Sequence, residues 1–271
     1  LRWQPPQPVA DWQGVRDATQ NAPACPQYSE GWNAAQAADW DEDCLTLDVR
    51  TPSLEGARPV MVWIHGSSNR SGASGGPADS DLTQQGVVVV GIQYRLGVLG
   101  YLAHPELSAA QGGSSGNYGL MDQIAALRWV RDNIHLFGGD PAQVTIFGES
   151  AGSQDVSLML AAPAAQGLFG AAILQSGTPG FGQTFRTLAE AQAAGAQFGS
   201  VAALRGMSAQ EILDVAHFHL SARSSSAATA GRRLPSTNSR RPRRSSSKRS
   251  PTQRSRSATS SRTHFVCVQT E

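Results

Sequence analysis

The sequence predicts an α/β protein with a mostly parallel central sheet, because strand-like apolar runs alternate with helical periodicity. Continuous apolar runs at 60–64 and 87–92 suit strands that are buried on both faces of a sheet. A third run, 144–147, is short, β-branched and aromatic. Between them, apolar residues recur at three- and four-residue steps, as on the buried face of a helix: Leu120, Ile124, Leu127, Val130 and Ile134.

The third strand run leads into a G-x-S-x-G motif at residues 148–152. Apolar residues at 156–160 suit a helix directly after it, so Ser150 is predicted to lie on a sharp strand-to-helix turn with its hydroxyl exposed. The same pattern occurs at 72–76 and 112–116, but within Gly/Ser-rich stretches that no apolar run precedes. Those two matches are interpreted as loops.

The small residues of the motif fit a nucleophile elbow. Gly148 and Gly152 would let strand and helix pass without a Cβ clash, and the backbone amide of Ala151 would point to where a tetrahedral oxyanion forms. The strand at 60–64 runs directly into His65-Gly66-Ser67-Ser68-Asn69. That loop is the predicted source of the remaining oxyanion donors.

Four blocks of sequence resemble, in order, the type B carboxylesterases, the family that includes the cholinesterases. They are LRWQPPQPV at the start, EDCLTLDV at 42–49, VMVWIHG at 60–66, and the long run from GNYG to ESAG at 116–152. The resemblance covers about residues 1–220, the N-terminal half of such a domain. It implies an incomplete α/β-hydrolase fold that hydrolyses small carboxylic esters through a serine acyl-enzyme, with neither metal nor cofactor.

The resemblance also implies roles for individual residues. Ser150 is expected to be the nucleophile, and Ser67, Ser68 and Ala151 the backbone oxyanion donors. The family usually has glycines after the His-Gly pair, and Ser67 replaces one of them. If that position needs a positive φ, a serine there costs about 1 kcal/mol or turns its amide away. Alternatively, Ser67 adopts ordinary dihedral angles and donates normally.

Cys25 and Cys44 match the N-terminal disulfide of the family. Such a bond implies an oxidising compartment and therefore a secreted or periplasmic protein, whereas two reduced cysteines would fit a cytosolic homologue. Cys267 matches nothing. The chain does not begin with Met, so no signal peptide can be identified. No apolar stretch approaches the length of a membrane span.

Further acidic and basic residues have both functional and structural interpretations. Glu149 is either functional or paired with a buried polar group beneath the elbow, and Asp155 is predicted to make local hydrogen bonds. Ser176 matches a family serine near the catalytic triad. Asp214 and His217 share one predicted helix as a solvated residue and a favourable C-terminal charge. No triad acid or histidine is recognised by sequence.

The amino-acid composition of the chain changes near Leu220. Residues 1–220 contain ten arginines and twenty acidic residues, whereas residues 221–270 contain eleven arginines, one lysine and no acid. The formal net charge of +1 is therefore the sum of a negative charge on residues 1–220 and a positive charge on residues 221–271. A segment with so few apolar residues cannot offset the entropy of ordering it, so 1–220 is predicted to be the partial hydrolase domain and 221–271 a disordered tail.

Three interpretations of the tail are open: a nucleic-acid-binding Arg/Ser segment, a solvated linker, or the product of a shifted reading frame. We favour the last, because the change begins where the family-like sequence stops and no new motif follows. No specific nucleic acid partner is expected. The alternative function for the whole chain is a catalytically inactive remnant whose tail binds anions non-specifically. The ester substrate and the oligomeric state stay open.

Overall fold

The computed structural model describes residues 2–9, 12–76, 80–178 and 186–217, together with the backbone of 264–269. Its centre is a six-stranded sheet with the strands β1 (Thr46–Thr51), β2 (Arg58–Ile64), β3 (Val88–Ile92), β4 (Gly139–Glu149), β5 (Ala171–Gln175) and β6 (His264–Gln269). The spatial order is β5-β4-β2-β3-β1-β6. Strands β2 to β5 are parallel, while β1 is antiparallel to β3 and β6 is antiparallel to β1. The predicted α/β class is confirmed.

Helices connect and cover these strands. They are α1 (Ala34–Ala38), α2 (Gly97–Tyr101), α3 (Pro105–Ala110), α4 (Tyr118–Asn133), α5 (Ala151–Ala161), α6 (Leu188–Gly195), α7 (Val201–Gly206) and α8 (209–217). Short 3-10 helices lie at Ser67–Asn69, Asp81–Gln85, Ile134–Phe137, Pro163–Ala165 and Ala196–Phe198. Helices α4 and α5 pack against the sheet and bury its central strands.

The predicted strand runs form the middle of the sheet. Every residue of β3 is buried, and β2 pairs in parallel with β4 from Val60 opposite Val144 to Ile64 opposite Gly148. Branched side chains from these strands make up the main core, together with apolar residues of α4 and α5. Burial on both faces explains why β2 and β3 are continuous apolar runs rather than alternating ones.

Helix α4 differs from the purely apolar stripe that its spacing predicts. Leu127 and Val130 are fully buried as predicted, but so are the polar Asp122 and Gln123. Asp122 accepts hydrogen bonds from the backbone N–H of Arg95 at 3.1 Å and from its guanidinium at 2.8 and 2.6 Å. Polar side chains are tolerated on this face because residues from other elements satisfy them.

Strand β5 is an edge strand whose apolar residues are incompletely covered. Ile173 in β5 is 43% exposed and Leu160 in α5 is 59% exposed. Among the described residues, no strand pairs with the free edge of β5. This end of the sheet therefore carries apolar surface and unpaired backbone groups.

The other edge is formed by β6, inside the tail that composition predicts to be disordered. Residues 264–269 instead pair with the whole of β1, from Thr46 opposite Gln269 to Thr51 opposite His264. The run 265–268 is locally apolar and rich in strand-forming residues, and β1 would otherwise be an edge. Residues 221–263 lie outside the described residues, so the prediction of disorder stands untested for them.

The predicted disulfide is present. Cys25 and Cys44 are bonded, both are fully buried, and they lie 19 residues apart in the chain. The bond fastens the N-terminal segment to the residues that lead into β1.

Candidate active site

Ser150 lies at the turn between β4 and α5, as the motif predicts. Its backbone has φ 56° and ψ −120°, a conformation that non-glycine residues rarely adopt. The turn is held by two backbone hydrogen bonds, from Ser150 N–H to the carbonyl of Gln175 at 2.9 Å and from Gln154 N–H to the carbonyl of Ser150 at 3.0 Å. The side chain is half-buried at the end of the strand.

Glycines around Ser150 allow three backbone segments to meet. A Cβ on Gly152 would overlap the carbonyl oxygen of Ile64 and lie 2.6 Å from that of His65, and one on Gly148 would lie 2.6 Å from the carbonyl oxygen of Gly152. A Cβ on Gly66 would overlap the carbonyl oxygen of Glu149 and lie 3.2 Å from Cβ of Ser150. The loop after β2 is therefore packed directly on the elbow.

We call residues 65–69 the oxyanion loop. Three successive residues in it have left-handed backbone: Ser67 with φ 63°, Ser68 with φ 56° and Asn69 with φ 55°. The positive φ at Ser67 is the first of the two alternatives that the sequence left open. Each such residue costs on the order of 1 kcal/mol unless its surroundings hold it. Asn is among the residues that tolerate this region best.

Side chains of Tyr94 and Asp155 bond to the oxyanion loop, and Gln123 in turn bonds to Asp155. The Tyr94 hydroxyl donates to the carbonyl oxygen of His65 at 2.6 Å and lies 3.1 Å from Oδ1 of Asn69. Nδ2 of Asn69 donates to Oδ1 of Asp155 at 3.1 Å, and Nε2 of Gln123 donates to Oδ2 of Asp155 at 2.6 Å. The prediction that Asp155 bonds locally is wrong, because its partners lie 86 and 32 residues away in the chain.

Burial changes the acidity of two groups near the loop. It raises the pKa of Asp155 to about 6, although the hydrogen bonds from Gln123 and Asn69 oppose this shift. It lowers the pKa of His65 to about 4, so this histidine is neutral at physiological pH. The His65 ring stacks on Tyr94 with centroids 4.3 Å apart, and its Nε2 has no hydrogen-bond partner among the described residues.

A cavity of about 780 Å³ opens beside the loop and the first turns of α5. Its polar side includes Ser68, Asn69, Gln154 and Asp155. Its remaining lining combines apolar residues in or beside α2, α6 and α8 with charged and polar ones, including Val98, Phe198, Leu213, Glu30, Arg186 and His217. Ser150 itself is not among the lining residues. A cavity that combines apolar walls with a few polar groups is typical of a small-molecule site.

Of the other predicted candidates, Glu149 and Ser176 adjoin the elbow and His217 lines the cavity, but none of them bonds the Ser150 hydroxyl. The side chain of Glu149 is exposed, so the interpretation that it pairs with a buried group is wrong for the described residues. Ser176 is exposed, with φ 55°. Asp214 accepts hydrogen bonds from Tyr28 and Gln210, and these bonds lower its pKa.

The His217 ring packs against Tyr28 with centroids 4.8 Å apart. Neither it nor Asp214 bonds Ser150, whose hydroxyl has no hydrogen-bond partner among the described residues. Within the part of the chain that the structure describes, no group of three or more His, Cys, Asp or Glu residues is arranged to hold a metal ion. No described helix is both long and apolar enough to cross a bilayer.

A largely parallel sheet with a serine on a strained turn between one of its parallel strands, here β4, and the next helix defines an α/β-hydrolase fold. The chain belongs to the carboxylesterase family, whose profile matches residues 1–232. It is 44% identical over 222 residues to a fumonisin B1 esterase of Sphingopyxis macrogoltabida and 41% identical over 231 residues to a para-nitrobenzyl esterase of Bacillus subtilis (strain 168). These alignments cover 80% and 79% of the chain.

Solved structures give the same result. The chain matches a thermophilic pNB esterase with a TM-score of 0.73 and 38% sequence identity, and the match covers 82% of the present chain. It spans 41% and 45% of the two relatives and 48% of the solved chain, which is less than half of each.

Proposed function

We propose that this chain is part of a carboxylic ester hydrolase in which Ser150 is the nucleophile. The observation that carries the proposal is the strained turn at Ser150, which holds one hydroxyl at the end of β4. In the reaction, Oγ of Ser150 attacks the ester carbonyl carbon and its proton leaves to a base. The alcohol then departs with a proton, and water hydrolyses the acyl-serine to release the carboxylic acid.

We propose that the backbone N–H groups of Ser67, Ser68 and Ala151 stabilise the oxyanion of the tetrahedral intermediate. Ala151 is the first residue of α5, so its N–H has no partner within its helix and lies at the positive end of the helix dipole. Ser67 and Ser68 lie in the loop that packs on the elbow. Donors placed in advance at this point supply a large part of catalysis in acyl transfer.

The substrate class proposed from these residues is a carboxylic ester. The cavity beside Ser68 and Gln154 has apolar walls, which suit the hydrocarbon part of a small ester. The two relatives above are both named as esterases but for different esters, fumonisin B1 and para-nitrobenzyl esters.

The general base would come from outside the described residues, because the Ser150 hydroxyl has no partner within them. Without a positioned histidine, an oxyanion hole and binding alone give about 10³-fold to 10⁴-fold acceleration over water. We therefore propose that the 271-residue chain is a slow esterase.

The disulfide supports a secreted or periplasmic location. We also propose that the hydrolase part ends near residue 220 and that the basic residues after it bind no specific nucleic acid.

Added imidazole tests this proposal, because it can act as a base for Ser150, whose hydroxyl has no partner among the described residues. In para-nitrophenyl acetate hydrolysis, we expect the 271-residue chain to exceed its Ser150→Ala variant, and the difference to grow with imidazole concentration. The variant also corrects for hydrolysis by imidazole itself. Equal rates for the two proteins at every imidazole concentration would contradict Ser150 as the nucleophile.

Replacing Ser67 with glycine is expected to stabilise the oxyanion loop. Glycine adopts φ near 63° without the strain that serine carries, worth about 1 kcal/mol. We expect the Ser150-dependent rate to increase, with Ser53→Gly as a control outside the site. An equal or lower rate in Ser67→Gly would mean that the serine already holds its amide correctly.

A further inference from the structure

The donors of the proposed oxyanion hole come from two separate elements. Ser67 and Ser68 belong to the oxyanion loop after β2, whereas Ala151 begins α5. Three N–H groups stabilise one oxyanion only if the loop and the helix keep their relative position to within about 0.5 Å. A bond between the loop and α5 would therefore act directly on the geometry of the hole.

Asp155 forms such a bond. It lies in α5, five positions after Ser150, and it accepts a hydrogen bond from Asn69, the residue directly after Ser68. Asn69 also lies within hydrogen-bond distance of the Tyr94 hydroxyl, which holds the carbonyl of His65 at the start of the loop. The loop is thus fixed at both ends, and the side chain that connects it to α5 is Asp155.

Stability alone is a weak reason for a carboxyl group in this position. Asp155 is only 2% exposed, and the groups that stabilise its carboxylate are all neutral, namely the side-chain amides of Asn69 and Gln123 and the Tyr101 hydroxyl. A buried carboxylate without a cationic partner is costly. Burial also raises its pKa.

We propose that Asp155 is a positioning residue that holds the Ser67 and Ser68 amides in place through its hydrogen bond to Asn69. This inference rests on the proposed ester hydrolysis for its catalytic meaning, but the bond's effect on the loop can be measured separately. The competing explanation is that Asp155 only joins α5 to α4 through Gln123.

Gln123 provides a way to separate the two explanations. Its Oε1 is buried and has no hydrogen-bond partner among the described residues. In Asp155→Asn, the side-chain oxygen of the new residue still accepts from Asn69. Its NH₂ group donates to Oε1 of Gln123 once the Gln123 side-chain amide rotates by about 180°. In Asp155→Ala, both bonds are lost. Gln123→Ala removes the bond to α4 but leaves the bond to Asn69.

The experiment compares the full 271-residue chain with Asp155→Ala, Asp155→Asn and Gln123→Ala. Amide hydrogen exchange over residues 65–70 reports on the loop whether or not the protein hydrolyses esters. We expect faster exchange in Asp155→Ala and nearly unchanged exchange in Asp155→Asn and Gln123→Ala. Unchanged exchange in Asp155→Ala, or equal acceleration in Gln123→Ala, would overturn the proposal.

The second readout is the rate at which a fluorophosphonate labels Ser150. Asp155→Ala is expected to lower the maximal labelling rate about tenfold or more, with the half-saturating probe concentration unchanged, because the hole acts only on the transition state. Asp155→Asn is expected to recover most of this loss. The proposal that Asp155 acts through Asn69 would be contradicted if Asp155→Asn lost as much labelling rate as Asp155→Ala while hydrogen exchange over residues 65–70 stayed slow. If Ser150 is not labelled even with imidazole added, the proposed function fails, and the exchange experiment still decides whether Asp155 holds the loop.

Discussion

Replacing Gly152 with alanine is expected to lower the free energy of unfolding by about 3 kcal/mol. The new Cβ would overlap the carbonyl oxygen of Ile64 and approach that of His65. Both are backbone atoms at the junction of β2 and the oxyanion loop, so the clash cannot be relieved by a side-chain rotation. Either α5 moves away from the sheet or the loop moves away from Ser150.

Gly206→Ala is the matched control. Gly206 ends α7, and a Cβ there would have no heavy atom within 4 Å. Alanine at such a site is expected to be neutral or to stabilise by about 0.5 to 1 kcal/mol. Urea unfolding followed by circular dichroism measures both variants. Equal stability of Gly152→Ala and Gly206→Ala would mean that the elbow does not need glycine.

Replacing Arg95 with leucine is expected to cost about 3 to 5 kcal/mol of stability at neutral pH. The Asp122 side chain is only 1% exposed, and the Arg95 guanidinium contributes a salt bridge and a further hydrogen bond, while the Arg95 backbone N–H donates a third bond. Leucine keeps the backbone bond, but the carboxylate is left buried without its cation. The double variant Arg95→Leu/Asp122→Leu should recover much of the loss, because no charge then remains in the core.

The pH dependence of the Arg95→Leu variant has a definite sign. Burial already raises the pKa of Asp122 in the intact protein, and loss of the arginine would raise it further. The folded variant then binds a proton more tightly than the unfolded chain does, so its stability rises as pH falls from neutral toward the ordinary carboxyl pKa. A deficit relative to wild type that is constant with pH would contradict an unpaired carboxylate as its cause.

The parts of the fold that the sequence predicts well depend on local pattern. The runs at 60–64 and 87–92 are apolar because both faces of their strands are buried, and Ser150 is recognisable because strand, turn and helix follow one another directly. The disulfide was predicted only through the resemblance of Cys25 and Cys44 to a family pattern. Spacing alone does not fix which cysteines pair.

The features that sequence reasoning missed depend on contacts between distant segments. No residue near Asp155 in the sequence indicates its bond to Asn69. Asp122 is tolerated on the buried face of α4 because Arg95, three residues after β3, pairs with it. Strand β6 was missed for a different reason. The composition of 221–271 is dominated by Arg and Ser, which hides the short apolar run at 265–268.

The most direct test of the account is to locate the serine that a fluorophosphonate modifies. The 271-residue chain and its Ser150→Ala variant would be treated with the probe in the presence of imidazole, digested and mapped by mass spectrometry. We predict that the label lies on the peptide containing Ser150 and on no other serine, and that Ser150→Ala is unlabelled, because only the elbow places a hydroxyl beside oxyanion donors. Label on another serine, or equal labelling of Ser150→Ala, would contradict Ser150 as the nucleophile.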